Sequence, residues 1–312
     1  MSTATTAIKA KQRPGDRVFS GSAVFAGSMI LVTLAAVAVF LIVQSLPALV
    51  ASHEDASILT DNFWNYVGPL LFGTVWAAAL ALLMAVPVSI GIALFISHYA
   101  PRRLASVLGY IVDLLAAVPS VVFGLWGIGV LAPAVQPVYS WLVDNFGWFP
   151  LFAGPVSGTG RTILTAAIVL AVMVLPIMTA ICREVFLQTP VLHEEAALAL
   201  GATRWEMIRT AVLPFGRSGI VSAAVLGLGR ALGETMAVAM VLSASGAVTF
   251  KLLTSVNPST IAANIALTFP EAYGMNVNVL IATGLILFIV TFVVNAIARW
   301  IVSRRKEFSG AN

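Results

Sequence analysis

The sequence predicts an all-α integral membrane protein with six transmembrane helices. Of its 312 residues, 60% are hydrophobic and only 10% are charged, whereas a soluble domain carries about 25% charged residues. The apolar residues form six runs long enough to cross a bilayer as a helix, which takes about 20 residues. The period-two alternation typical of membrane β-strands is absent from these runs.

The predicted spans are residues 22–46, 67–97, 104–133, 162–187, 218–243 and 277–302. The first run is too long for the apolar region of a secretory signal, so we interpret it as a helix. We expect Pro87, Pro119 and Pro176 to be tolerated inside spans. The predicted domain organisation is an N-terminal tail of residues 1–21, a six-helix transmembrane domain of residues 22–302 and a C-terminal tail of residues 303–312.

Basic residues indicate the orientation of the spans. Because cytoplasmic loops carry an excess of Lys and Arg, the side with most of them is predicted to face the cytoplasm. The opposite side has only Arg161 and Lys251, and Arg230 is inside a span. This predicts that both termini, and hence both tails, lie in the cytoplasm. The cytoplasmic set is Lys9, Lys11, Arg13, Arg17, Arg102, Arg103, Arg183, Arg204, Arg209, Arg217, Arg299, Arg304, Arg305 and Lys306.

A polar stretch at residues 190–215 interrupts the apolar sequence between the fourth and fifth spans. Charged side chains cost about 2.5–3.5 kcal/mol each inside a bilayer, so this stretch is an aqueous loop. Helix formers lead up to Gly201, and apolar residues then recur at helical spacing until Pro214. We therefore predict a short helix, a glycine bend and a second short helix that ends at Pro214.

This stretch resembles the EAA loop of ABC importer permeases, with Ala211 where the family usually has Ile. In that family the loop is the coupling helix that docks into a cytoplasmic ATPase. The resemblance implies a coupling role for the residues that match the motif. These are Glu194, Glu195, Ala196, Ala197, Gly201, Leu213 and Pro214.

Arg230 and Glu234 lie near the middle of the predicted fifth span. At a spacing of four residues they would share one helix face and could pair. An intramembrane ion pair is by default a functional-site hypothesis, although it could also be a structural salt bridge. Gly229 and Gly233 form a small-residue strip that would let another helix come close. Asp113, in the predicted third span, is left as structural or undetermined.

The run from Gly229 through Arg230, Glu234 and Thr235 to Ala237 resembles the fifth-span signature of phosphate-specific ABC transporter permeases. Residues 85–91 and 118–124 resemble the same family. The resemblance favours the PstC type over the PstA type and implies a type I ABC importer permease (MetI-like) fold. It also implies that Arg230, Glu234 and Thr235 line the substrate pathway. Because a lone buried arginine would be costly and would hold the anion too tightly, we expect Glu234 to neutralise Arg230 when the pathway is empty.

The family implies several partners for such a chain in the bacterial inner membrane. They are a second permease of the PstA type, a dimer of PstB-type ATPases, an extracytoplasmic PstS-type phosphate-binding protein, phosphate and the lipid bilayer. No Walker pattern occurs in the sequence, so ATP hydrolysis is expected in a separate subunit. We expect no catalytic residue, cofactor, metal or nucleic-acid partner.

Three alternatives stay open at this point. The chain could serve an ABC importer of another oxyanion or solute. It could be an ion-coupled secondary transporter, against which the EAA-like loop and the lack of repeat halves argue. An intramembrane enzyme has no nucleophile, base or metal cluster to support it. His53, His98 and His193 are far apart in sequence, so they suggest neither metal binding nor catalysis. The aromatic residues of segment 134–161 fit an interfacial belt or a docking surface.

Overall fold

The computed structural model describes residues 13–303, with side chains as far as Trp300, and six of its helices are long and apolar enough to cross a membrane. The prediction of an all-helical, six-span protein is confirmed. The six are Pro14–Leu49, Phe63–Tyr99, Ser120–Phe146, Ile163–Leu187, Arg204–Leu232 and Met275–Trp300.

The first two spans lie close to the predicted ones, with shifted ends. Helix α1 (Pro14–Leu49) begins at Pro14 rather than at residue 22, because proline at the first helical turn is favourable. The second span is α2 (Phe63–Leu94) followed by a π-helical turn, Phe95–Tyr99. Residues 1–12 and 304–312 lie outside the described part of the chain, so the two predicted tails stay predictions.

The third span was placed wrongly. Residues 104–133 are not one helix, because helix α3 (Arg102–Ala116) ends before Pro119 and a new helix starts at Ser120. Proline lacks an amide hydrogen and disfavours helix in the residue before it, so it begins the new helix instead of lying within one. The span consists of α4 (Ser120–Trp126), a π-helical turn and α5 (Ala132–Phe146). Helix α3 is amphipathic and precedes the span.

The core is built around α6 (Ile163–Leu187), which packs mainly against α2 and also contacts α3. Pro176 lies inside α6 and Pro87 inside α2, as predicted. Cys182 is fully buried in an apolar cluster with Phe186, so it serves packing. These contacts make α6 the centre of the main apolar cluster.

An irregular segment and α11 (Ile261–Thr268) connect the fifth and sixth spans before α12 (Met275–Ser303). Asn257 is fully buried in this segment. Its Oδ1 accepts a hydrogen bond from the Ile163 amide at 3.1 Å, and its Nδ2 donates to the carbonyls of Ser243 and Thr254. Since buried backbone groups must be paired, Asn257 fixes the segment to the N-terminal end of α6.

Candidate translocation and coupling sites

The fifth span is a broken helix. It starts with α8 (Arg204–Met207), continues through a π-helical turn, Ile208–Val212, and becomes α9 (Leu213–Leu232). The chain leaves the helix at Gly233, and α10 (Met236–Val241) follows as a separate helix. The prediction of one helix over residues 218–243 is therefore wrong. Broken helices occur in membranes where the freed backbone lines a cavity or is covered by protein.

Arg230 and Glu234 lie on the two sides of this break, so the prediction that they share one helix face is also wrong. Among the described residues neither forms an ion pair within 4.0 Å. Glu234 is 8% exposed, and its Oε1 accepts a hydrogen bond from the Ala237 amide at 3.1 Å. Glu234 thus caps the start of α10, where amides have no helical partner.

Arg230 is half-buried in the last turn of α9. Its Nε atom is buried and has no hydrogen-bond partner among the described residues. A buried donor without a partner costs free energy, so this guanidinium is suited to an additional acceptor. Thr235, between the two helices, donates its hydroxyl hydrogen to the Gly233 carbonyl at 3.1 Å. Arg230 therefore keeps an unpaired donor beside the break, and Nε of Arg161 is likewise buried without a partner among the described residues.

Glycines on the third span bring α10 close to it. A Cβ atom on Gly124 would lie 3.0 Å from Cα of Ala237, and one on Gly127 would lie 2.6 Å from Val241. In contrast, a Cβ atom on Gly229 would have no described atom within 4 Å apart from the backbone of its own helix. The predicted strip of Gly229 and Gly233 therefore receives no helix of this chain, and Gly124 and Gly127 have that role instead.

Arg161 binds the C-terminal end of α10. Its Nη2 donates to the Met240 carbonyl at 3.0 Å, near the end of that helix. A cation there also complements the negative end of the helix dipole. Glu234 at one end and Arg161 at the other thus fix a helix that begins directly after the break.

The polar loop contains the predicted short helix and glycine bend. Helix α7 (Val191–Ala199) ends before Gly201, whose φ of +86° is a conformation that favours glycine. Thr203 and Glu206 form a reciprocal capping box at the start of α8. The second helix does not end at Pro214, because Pro214 lies in the first turn of α9 and the helix continues to Leu232.

The residues that match the EAA motif divide into two groups. Helix α7 has no buried residue, so it presents Glu195 and Ala196 to solvent, while Ala197 packs against the cluster around Phe186. Leu213 and Pro214 lie on the continuous fifth-span helix. That helix runs from Arg204 to Leu232, so at 1.5 Å per residue Arg230 lies about 39 Å from Arg204 along it. One continuous helix, with a π-helical turn at Ile208–Val212, thus connects the loop to the break.

Two polar contacts near the loop were missed by reasoning from sequence. His98 Nε2 lies 3.4 Å from Oε1 of Glu194, and Arg183 Nη2 lies 3.8 Å from Oδ2 of Asp113. The second pair lines a cleft of about 500 Å³ between α3 and the end of α6. Both pairs join positions far apart in the sequence, so no local pattern could have indicated them. Asp113 is therefore a partner of Arg183 at the end of the span.

The aromatic segment 134–161 is only partly a loop. Helix α5 occupies it as far as Phe146, and Tyr139 is buried with its hydroxyl 2.9 Å from Oγ1 of Thr165. Trp141 and Trp148 are exposed. Tyr139 therefore belongs to the core, and the exposed residues fit an interfacial belt.

Comparison with known proteins places these features in a family. The family model for binding-protein-dependent transport system inner membrane components matches residues 85–307. The chain is 49% identical to phosphate transport system permease protein PstC 2 of Mycobacterium tuberculosis, over 92% of this chain and 91% of that one. It is 41% identical to PstC of Mesorhizobium japonicum, over 95% of this chain and 92% of that one.

Solved structures with a similar fold are ABC importers. A bacterial alginate ABC transporter in complex with its alginate-bound periplasmic protein gives a TM-score of 0.61 at 16% identity, over 95% of this chain and 97% of that one. The inward-facing MetNI methionine ABC transporter gives a TM-score of 0.51 at 20% identity, over 76% of this chain and 93% of that one. The chain therefore belongs to the family of binding-protein-dependent transport system inner membrane components and is a multi-pass permease related to the PstC proteins.

Proposed function

We propose that the chain is the permease subunit of an ATP-driven importer of inorganic phosphate and forms the pathway together with a second permease subunit. The observation that carries the proposal is the half-buried guanidinium of Arg230, which has a free donor beside a break in an intramembrane helix. The PstC relatives, which are named phosphate transport permeases, support phosphate as the substrate.

Arg230 is the residue we assign to the passing anion. Phosphate is an oxyanion, and guanidinium offers a planar fork of donors that matches two of its oxygens. A conduction site must also release its ion. Because Arg230 forms no ion pair among the described residues, an arriving phosphate does not have to displace a carboxylate. Arg230 is at the same time a single cation, which favours release.

Glu234 and Thr235 act on the pathway through the backbone. Glu234 binds the amide of Ala237, and Thr235 closes the turn at Gly233. Together they set where α10 begins, and hence the shape of the break beside Arg230. This replaces the expectation that Glu234 neutralises Arg230, and it gives both residues a positioning role in the pathway.

Helix α7 and the start of α8 form the coupling surface for a separate ATPase. Glu194, Glu195, Ala196 and Ala197 lie on α7, and Gly201 sets the angle to the fifth span. An ATPase that moves α7 would act on Arg230 through the continuous helix that ends at Leu232. We place this surface and both chain ends in the cytoplasm, because most Lys and Arg residues lie on that side.

The remaining partners follow from the same assignment. They are a PstA-type permease, a dimer of PstB-type ATPases and a PstS-type binding protein outside the membrane. The relation to an alginate transporter solved with its periplasmic protein supports a partner of the last kind. The permease region that makes these contacts begins with α1 at Pro14, inside the predicted tail of residues 1–21, and ends with α12 at Ser303, the first residue of the predicted tail of residues 303–312.

Reconstitution tests this function. The chain is purified with the second permease, placed in liposomes with the ATPase, and supplied with the loaded binding protein. We expect ATP-dependent uptake of phosphate, with little uptake of sulfate or molybdate. Uptake that does not need the ATPase would instead support an ion-coupled secondary transporter, and preference for sulfate or molybdate would indicate another oxyanion importer.

A further inference from the structure

The cleft between α3 and the end of α6 is not used by the proposed pathway. Its volume is about 500 Å³, which is within the range of small-ligand sites, about 300–1,000 Å³. One wall carries Arg183 of α6, and the other is the polar face of α3. The residues of that face recur at helical spacing; they are Arg102, Ser106, Gly109, Tyr110 and Asp113. The cleft therefore combines polar side chains of two packed helices.

Arg183 lies across α3 at Gly109. A Cβ atom on Gly109 would overlap the Nη1 atom of Arg183, so the absence of a side chain there makes room for the guanidinium. The Arg183 side chain is only 20% exposed. It donates no hydrogen bond to any other residue that the structure describes. A mostly buried guanidinium with unused donors is suited to an acceptor from outside the chain.

The carboxylate of Asp113 does not satisfy this guanidinium. Its Oδ2 lies 3.8 Å from Nη2 of Arg183, which is too long for a hydrogen bond, and its side chain is 55% exposed. Ion pairs at exposed positions contribute little to stability, whereas direct hydrogen bonds between guanidinium and phosphate are among the strongest polar contacts. A phosphate group that reaches Arg183 therefore competes successfully with Asp113.

Other donors of the cleft are also unused. The side chains of Arg102, Ser106 and Tyr110 form no hydrogen bond with the rest of the described chain. Guanidinium and hydroxyl groups donate to the oxygens of a phosphate group. Two arginines line the cleft together with a single carboxylate, so its net charge favours an anion.

The cleft lies at the surface of the membrane. Helix α3 joins the end of the second span at Tyr99 to the start of the third at Ser120. The face of α3 turned away from the cleft carries exposed apolar side chains, and an amphipathic helix of this kind lies in the headgroup region. A ligand therefore enters the cleft at headgroup level. The exposed apolar residues are Leu104, Val107, Ile111 and Leu114.

We propose that the cleft binds the phosphate group of an anionic phospholipid and that the bound lipid holds α3 against α6. Basic pockets between membrane helices on the cytoplasmic side bind the headgroups of such lipids. Inorganic phosphate offers the same oxygens to Arg183 and Arg102. The position at headgroup level favours the lipid, because its phosphate reaches the cleft while its acyl chains stay in the bilayer.

The test measures lipid bound to the purified permease complex. The complex is washed in detergent and titrated with phosphatidylglycerol or with phosphatidylcholine, and bound lipids are counted by native mass spectrometry. Arg183→Gln and Arg102→Gln each remove one cation of the cleft. Gly109→Ala keeps both cations but displaces the guanidinium of Arg183. Arg103→Gln is the matched control, because Arg103 is the neighbouring arginine on α3 and does not line the cleft.

We expect the wild type and Arg103→Gln to bind phosphatidylglycerol equally and to bind phosphatidylcholine weakly. Arg183→Gln should weaken phosphatidylglycerol binding about tenfold, as suits the loss of a charged hydrogen bond. Gly109→Ala should weaken it in the same direction, and Arg102→Gln, at an exposed position, about threefold. Phosphatidylglycerol should also raise the thermal midpoint of the wild type and leave that of Arg183→Gln unchanged.

Equal phosphatidylglycerol binding by the wild type and an assembled Arg183→Gln complex would overturn the proposal. Equal weakening in Arg103→Gln would do the same, because it indicates attraction by surface charge in general. If Arg183→Gln does not assemble, Gly109→Ala and Arg102→Gln decide by the same comparison.

A separate arm adds inorganic phosphate without lipid. If inorganic phosphate raises the thermal midpoint of the wild type but not of Arg183→Gln, and phosphatidylglycerol has no effect, the cleft is a site for free phosphate and the lipid proposal is wrong. Phosphate uptake is measured on the same preparations. Lipid binding as expected without ATP-dependent uptake would refute the transport function and leave the lipid site standing.

Discussion

Replacing Glu234 tests whether this residue caps α10 or pairs with Arg230. In the structure its carboxylate binds the buried amide of Ala237 and forms no ion pair with Arg230. Glu234→Ala leaves that amide without a partner. Loss of a helix cap costs about 0.5–2 kcal/mol, and a hydrogen bond to a charged group is worth about 1.5–3 kcal/mol. We therefore expect Glu234→Ala to lower the free energy of unfolding by about 2 kcal/mol.

Glu234→Gln is the matched control, because its amide oxygen can still accept from Ala237. This variant should lower the free energy of unfolding by less than about 1 kcal/mol. Arg230→Gln removes the cation without touching the cap. The two glutamine substitutions should therefore add to within about 0.5 kcal/mol when combined. Uptake should stay low in the combined variant, since Arg230 is absent.

The assay is thermal unfolding of the purified permease complex, followed by intrinsic fluorescence. Glu234→Ala should lower the midpoint by about 4 °C, and Glu234→Gln by less than half as much. A strongly coupled pair gives a different result, because breaking a buried ion pair on one side costs about 3–5 kcal/mol. Large losses in both single glutamine variants, with recovery of stability and uptake in the combined variant, would refute the capping role.

Three further predictions concern the coupling surface, the fold and the orientation. Glu195→Lys and Gly201→Pro should spare membrane insertion and weaken ATPase recovery in a pull-down, because both alter the exposed loop; normal recovery and uptake would count against the coupling surface. Asn257→Leu should lower the free energy of unfolding by about 3 kcal/mol or more, because two buried backbone groups and one partly buried group lose their partner, and an unchanged midpoint would contradict this. In a Cys182→Ala background, an impermeant thiol reagent added to intact cells should label cysteines at Ser52 and Thr159 and spare one at Leu200, which is 90% exposed; labelling at position 200 would reverse the orientation.

The sequence predicted the number of spans well, because apolar runs report on membrane insertion directly. The predicted ends of two spans were wrong, because one helix ends before Pro119 and another ends at Gly233. Both residues are tolerated inside some membrane helices, so their type alone does not decide whether a helix continues. The outcome depends on tertiary packing, here the close approach of α10 to Gly124 and Gly127.

The candidate site was predictable only in part. Arg230 was found because a cation inside an apolar run is conspicuous in any sequence. Its relation to Glu234 was inferred from helical spacing, which the break at Gly233 removes. The contact between His98 and Glu194 depends on the packing of α7 below α2, across positions 96 residues apart. No local sequence pattern indicates either arrangement, so both could be recognised only from the three-dimensional structure.

The initial rate of ATP-dependent phosphate uptake by Arg230→Gln tests the central claim most directly. Arg217→Gln is the matched control, since Arg217 is an exposed arginine near the start of the same helix. A charged hydrogen bond is worth about 1.5–3 kcal/mol, so we expect uptake by Arg230→Gln to fall about tenfold or more, with the complex intact and Arg217→Gln near the wild-type rate. Wild-type uptake by Arg230→Gln in an assembled complex would contradict the claim that phosphate passes this guanidinium.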